Sequence, residues 1–153
     1  MSVLDSLASC AGSWRGNTKL QDPMNNVADE SPTMATITRV LKGKFVRLDY
    51  TWNYKGDPQE GSILFGYMPS SDEVTAYWAD TWHMGHLVME CRGAGLDEHA
   101  LSVFGTYEAP SGPDWGWRTK MTVDVDTLRM EMFNVSPEGH EELAVRSSWS
   151  RRL

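Results

Sequence analysis

A chain of 153 residues, 41% hydrophobic and 23% charged, fits one globular domain with a sizeable core and excludes a disordered tract. Its net charge of -7, with Lys and Arg scattered, speaks against nucleic acid and anionic membrane surfaces as partners, since both reward a basic patch. Two distant cysteines, Cys10 and Cys91, make no disulfide framework, and no run approaches the roughly 18 apolar residues of a membrane span.

The start, Met1-Ser2-Val3-Leu4-Asp5, has neither the basic region nor the apolar run of a secretory signal, so a cytoplasmic address is the default expectation. Residues 1–11 read as a short lead-in, with a helix over Val3–Ala8 and Ser2 as its N-cap. Everything after Gly12 reads as strands broken by turns, within one domain spanning 1–153 and without internal repeat. The candidate strands are Trp14–Gln21, Thr33–Leu41, Phe45–Tyr54, Gly61–Met68, Val74–Asp80, His86–Arg92, Leu101–Glu108, Trp117–Asp124, Thr127–Val135 and Glu142–Arg151. Turn signals between them include Asp22-Pro23, Lys42-Gly43, Lys55-Gly56-Asp57-Pro58, Gly93-Ala94-Gly95 and Pro137-Glu138-Gly139. About ten short, evenly spaced strands with no long helix point to an all-β sandwich or barrel.

Alternation is clean in Phe45–Tyr54: Val46, Leu48, Tyr50, Trp52 and Tyr54 are apolar, with Arg47, Asp49, Thr51 and Asn53 between them. One face is therefore buried and the other wet. A two-residue turn at Val125-Asp126 places Asp124 opposite Thr127, Arg118 opposite Phe133, Lys120 opposite Glu131 and Thr122 opposite Arg129. The other face of that pair gathers Trp117, Met121, Val123, Leu128, Met130 and Met132, nearly unbroken by polar residues.

Gly12-Ser13-Trp14 resembles the Gly-x-Trp that opens the first strand of calycins. The resemblance implies a closed antiparallel up-and-down barrel, lipocalin-like, whose Trp14 is covered by an Arg of the last strand, Arg151 or Arg152; a guanidinium stacks well on an indole face. More widely, Asp49-Tyr50-Thr51-Trp52 followed by Gly61, then Gly66-Tyr67, Trp78-x-Asp80-Thr81-Trp82-His83, Gly105-x-Tyr107, Trp117-Arg118, Glu131-Met132 and Trp149-x-Arg151 resemble a bacterial family of lipocalin-like barrels of unassigned function. That likeness implies fold and little about function. The Gly-x-Trp-x-Gly at Gly12–Gly16 is also similar to nitrobindin haem barrels, but Asn17-Thr18-Lys19 replaces their glycine-rich continuation and their C-terminal ligand His has no clear counterpart.

The densest chemistry lies in Trp78, Asp80, Trp82, His83 and His86. Strand alternation sends Trp78, Asp80 and Trp82 one way, setting a carboxylate between indoles, where it can serve as acid, base or anchor. The alternative is that Asp80 caps a turn and His83 sits in water. His83-x-x-His86 sends its rings to opposite faces of a strand, and no third ligand stands nearby, so no metal is expected. Arg118, with Glu131 on the neighbouring strand, can meet a ligand carboxylate only if the polar face lines the cavity and the Met-rich face meets a second copy in a homodimer. No phosphate-cradling loop, nucleophile elbow or triad is recognisable.

The reading that follows is a binding module without cofactor, holding a small apolar or amphipathic molecule, with Tyr50, Trp52, Trp78, Trp82, Trp117, Arg118, Met130 and Met132 as candidate contacts. The alternative is a cofactor-free enzyme of isomerase or lyase type using Asp80 and His83 as acid and base. A haem barrel with a His axial ligand is the third reading.

Overall fold

The computed structural model describes residues 1–22 and 26–151. Helix α1 (Val3–Ala8) leads into ten strands: β1 (Gly12–Asp22), β2 (Val27–Val40), β3 (Phe45–Tyr54), β4 (Asp57–Met68), β5 (Glu73–Asp80), β6 (Met89–Asp97), β7 (Ala100–Tyr107), β8 (Trp115–Val123), β9 (Thr127–Val135) and β10 (Glu141–Arg151). Each pairs antiparallel with its neighbours in sequence, and β1 closes on β10 from Trp14↔Arg151 to Leu20↔Val145. The result is the up-and-down barrel read from the sequence, without a free sheet edge.

The β8–β9 register is the one deduced from the two-residue turn: Arg118↔Phe133, Lys120↔Glu131 and Thr122↔Arg129. The Met-rich face points inward, and Trp117, Met121, Val123, Leu128, Met130 and Met132 are buried. Register does not dictate the ion pairs, however. Glu131 bonds Arg146 of β10 at 2.8 Å, while the Lys120 ammonium lies over the Phe133 ring.

Differences from the sequence reading sit at strand ends. β2 begins at Val27 and runs through Pro32, opposite Asn17. β4 begins at Asp57, because Lys55 and Gly56, at φ of 48° and 82°, alone make the two-residue hairpin turn. Gly93-Ala94-Gly95 is no turn but part of β6: a Cβ on Gly93 would fall 1.9 Å from the Ser102 carbonyl, so the glycine serves close strand approach. His86–Val88 precede β6 instead of opening it. The Asp22-Pro23 turn and Arg152 fall partly or wholly outside the described residues.

One barrel end is closed. The Ser2 hydroxyl accepts from the Asp5 N–H and the Asp5 carboxylate accepts from the Ser2 N–H, a reciprocal cap that lets a six-residue helix form. Its Val3, Leu4 and Leu7 are buried against the barrel. Trp14, wholly buried, donates Nε1–H to the Cys10 carbonyl at 2.8 Å. The Arg151 guanidinium covers the indole at 4.7 Å and reaches the Ser9 and Ala11 carbonyls. Further in, Trp149 donates to Thr33, and the Thr18 and Ser147 hydroxyls pair at 2.8 Å. Among the described residues, no helix is long and apolar enough to cross a membrane.

Candidate functional site

The opposite end of the barrel carries the loops after β3, β5, β7 and β9. Here Tyr50 of β3, Gly61 of β4 and Asp80 of β5 stand in one row across three strands. Gly61 has no side chain, and a Cβ there would lie 2.1 Å from Tyr50 Cζ. The gap lets the Tyr50 ring lie across β4 and donate its O–H to Asp80 Oδ2 at 2.8 Å. Trp52 Nε1 donates to the same oxygen at 3.1 Å, and Trp78 Nε1 donates to the Tyr50 hydroxyl at 2.9 Å. Burial, then the neighbouring Asp80 charge, pushes the Tyr50 phenol well above its ordinary range, so it stays a donor.

Asp80 Oδ1 turns the other way and accepts the backbone N–H groups of Trp82 and His83, both at 2.9 Å. The two readings of Asp80 hold together: it caps a turn, and it is a buried carboxylate among indoles. Its two oxygens serve four donors, which is how an ionised group is kept in an apolar wall.

The strand ends at Asp80, so alternation does not reach Trp82. That ring instead packs on Tyr54 at 4.6 Å and on Trp52 at 5.7 Å. The capped turn directs His83 inward, not into water. Its imidazole has four indoles around it, with centroids at 5.5 Å (Trp52), 5.6 Å (Trp78), 4.7 Å (Trp82) and 5.2 Å (Trp117). Desolvation by these indoles lowers the His83 pKa from 6.5 to about 4, against the opposing pull of Asp80 and Asp22. The ring is neutral at physiological pH, able to donate from one nitrogen and accept at the other.

His83 separates two spaces. Beneath it lies a pocket of about 10 Å3, room for about one water, lined by Tyr50, Trp52, Asp80, Met130 and Met132 with Thr18 and Ser147. Above it opens a cleft of about 660 Å3 at the barrel mouth, walled by Trp78, Met84, Leu87, Met89, Tyr107 and Trp117. Glu108 is the charged residue of this lining, which contains no Lys or Arg. The Nε1–H of Trp117 is buried and finds no acceptor among the described residues.

The expected contacts therefore divide into layers. Trp78 and Trp117, stacked at 5.3 Å, face the mouth cleft; Tyr50, Trp52, Met130 and Met132 lie deeper. Arg118 lies elsewhere. Inward packing of the Met-rich face puts it outside, bonded to Glu141 at 2.7 Å and to Ser102, not to Glu131. His86 is exposed on the mouth loop. Among the described residues, no group of three His, Cys, Asp or Glu side chains is placed to hold a metal. The cleft residues missed by sequence reasoning are Met84, Leu87, Met89 and Tyr107. Of these, Tyr107 carried a signal, in Gly105-x-Tyr107.

Fold and site define a ten-stranded closed barrel with a filled interior and an aromatic cleft at one mouth. The chain belongs to the family described as a protein family of unknown function, DUF1579, whose family model matches residues 4–151. Among solved structures it is similar to the crystal structure of Rv2717c from M. tuberculosis, at 13% identity and a TM-score of 0.72, covering 100% of this chain and 99% of that one. That likeness is one of fold. No curated protein matches the chain.

Proposed function

We propose that this protein, a calycin-like barrel, binds a small apolar or amphipathic molecule at the barrel mouth, between Trp78, Met84, Met89, Tyr107 and Trp117, with His83 as the floor. The observation that carries this reading is the contrast between the two spaces. The pocket beneath His83 holds only about 10 Å3, while the mouth keeps a cleft of about 660 Å3, within the size range of small-molecule sites. Four of the seven indoles of the chain surround His83, and two of them, Trp78 and Trp117, wall the cleft. Such rings supply large contact area at low entropic cost.

An acid–base enzyme is the second reading, and the placement of His83 favours it: the ring lines the cleft and is neutral at physiological pH, with one nitrogen able to accept a proton and the other to donate one. In that reading Asp80 is a positioning residue, since its oxygens are occupied by four donors and it holds the His83 backbone.

Titration with the neutral, polarity-sensitive fluorophore prodan tests the binding reading. Saturable binding with a blue-shifted emission, weakened at least about tenfold by Trp117→Ala and left intact by Arg118→Ala, is the expected result. Binding insensitive to Trp117→Ala would place the ligand elsewhere and contradict the reading.

A further inference from the structure

We infer that the ligand is a flat, uncharged ring bearing a hydrogen-bond acceptor, and that it enters by displacing His83 from the indole cage. This rests on the mouth cleft being the binding site. The cage already holds a flat heteroaromatic ring, since the His83 imidazole stacks at 27° on Trp52 and leans on Trp78, Trp82 and Trp117. His83 thus stands where a ligand ring would gain most contact.

Its carrier segment is a loop. Residues 81–88 form neither helix nor strand, and β6 begins only at Met89. Gly85 takes a left-handed φ of 62° in open space, and Leu87 and Val88 are 70% and 62% exposed. The segment is tied where the Asp80 carboxylate accepts the Trp82 and His83 N–H groups, and by the Met84 N–H on the Asp80 carbonyl and the Leu87 N–H on the Met84 carbonyl. These ties fix the His83 backbone and leave the ring free to swing about its own side-chain torsions.

Trp117 supplies the acceptor requirement. It is 7% exposed, lines the cleft beside His83, and its Nε1–H has no acceptor among the described residues. An indole N–H left unpaired in an apolar site is costly, and a ring with a carbonyl or similar acceptor in place of the imidazole relieves it. Charge selects against anions. The lining has Glu108 and no Lys or Arg, and Asp80 and Asp22 both act on the His83 position.

The test uses three probes of similar size: coumarin, flat and neutral with a carbonyl acceptor; naphthalene, flat without one; and 2-naphthoate, anionic. Coumarin is expected to bind about tenfold or more tighter than naphthalene, 2-naphthoate weakest of all, with the Trp117 indole N–H resonance moving downfield. Trp117→Phe should erase the preference for coumarin over naphthalene.

Displacement has a second signature. The charges acting on His83 are Asp80 and Asp22, with the Tyr50 phenol on the small pocket beneath the ring and Glu108 on the cleft wall. A His83 released to water regains a pKa near 6.5, so binding takes up a proton and coumarin affinity rises about tenfold from pH 7.5 to 5.5. His83→Ala should bind coumarin tighter at pH 7.5 and lose this dependence. Coumarin and naphthalene binding equally, with affinity flat in pH, would overturn the inference while leaving the cleft as a binding site. Binding to His83→Ala but not to the wild type at pH 5.5 would overturn displacement. No binding of any probe to either protein would overturn both readings.

Discussion

Tyr50 on β3 and Asp80 on β5 are two strands apart, yet the Tyr50 hydroxyl donates to Asp80 Oδ2 at 2.8 Å across the bare backbone of Gly61. The same hydroxyl accepts from Trp78 Nε1, so one oxygen atom couples an indole to the carboxylate that anchors the mouth loop. Tyr50→Phe leaves the Trp78 N–H without its acceptor and Asp80 with one donor fewer. A loss of about 1–3 kcal/mol in chemical denaturation is expected. Asp80→Asn, which turns an amide N–H2 toward groups that are themselves donors, should cost at least as much.

Gly61→Ala tests the gap itself. The new methyl group would meet Tyr50 Cζ at 2.1 Å and its hydroxyl oxygen at 2.2 Å, both belonging to a rigid, buried ring. A destabilisation of about 1–3 kcal/mol from overpacking is expected, along with movement of the Trp78 indole N–H resonance. A variant as stable as the wild type would show that Tyr50 does not need the space.

At the closed end, Trp14→Ala removes a wholly buried indole together with its hydrogen bond to the Cys10 carbonyl and should cost about 3–5 kcal/mol. Arg151→Ala, which removes the covering guanidinium and its long, exposed hydrogen bonds to the Ser9 and Ala11 carbonyls, should cost less, about 0.5–1 kcal/mol. Equal losses in the two variants would contradict this division between plug and cover.

His83 makes a pH prediction with a definite sign. Its pKa is about 4 in the folded chain, against an ordinary 6.5. Between those values the unfolded chain holds a proton that the folded chain does not, so stability is complete above about pH 6.5 and falls as pH drops toward 4. Urea midpoints measured across this window should slope downward with acid in the wild type, and less steeply in His83→Ala. Parallel slopes would show that the fold does not hold the ring neutral.

Much of the barrel was legible in the sequence because strands declare themselves by period two and by turn chemistry. Phe45–Tyr54 and Thr127–Val135 match their strands to the residue, and the β8–β9 register followed from a two-residue turn with one apolar face. Gly93-Ala94-Gly95 misled because glycine serves both turns and close strand approach, and spacing does not separate the two. Arg118 was left open for a related reason: alternation shows that two faces differ, while only closure of the barrel says which one is inside. At the site, Asp80 and His83 stood out as residues, but their partners did not. Tyr50 reaches Asp80 because a glycine in the intervening strand leaves room, a relation among three strands that no local pattern carries. The side of the turn to which His83 points was set by the Asp80 cap, beyond the end of the alternating strand.

The central claim, that ligand binds at the mouth above a filled barrel, is tested most directly by following the seven indole N–H resonances while coumarin is added. Trp78 and Trp117, which line the mouth cleft, should shift saturably and together, while Trp14 and Trp149, buried toward the closed end, stay fixed. Shifts led by Trp14 or Trp149, with Trp78 and Trp117 unmoved, would put the ligand in the barrel interior and contradict the account.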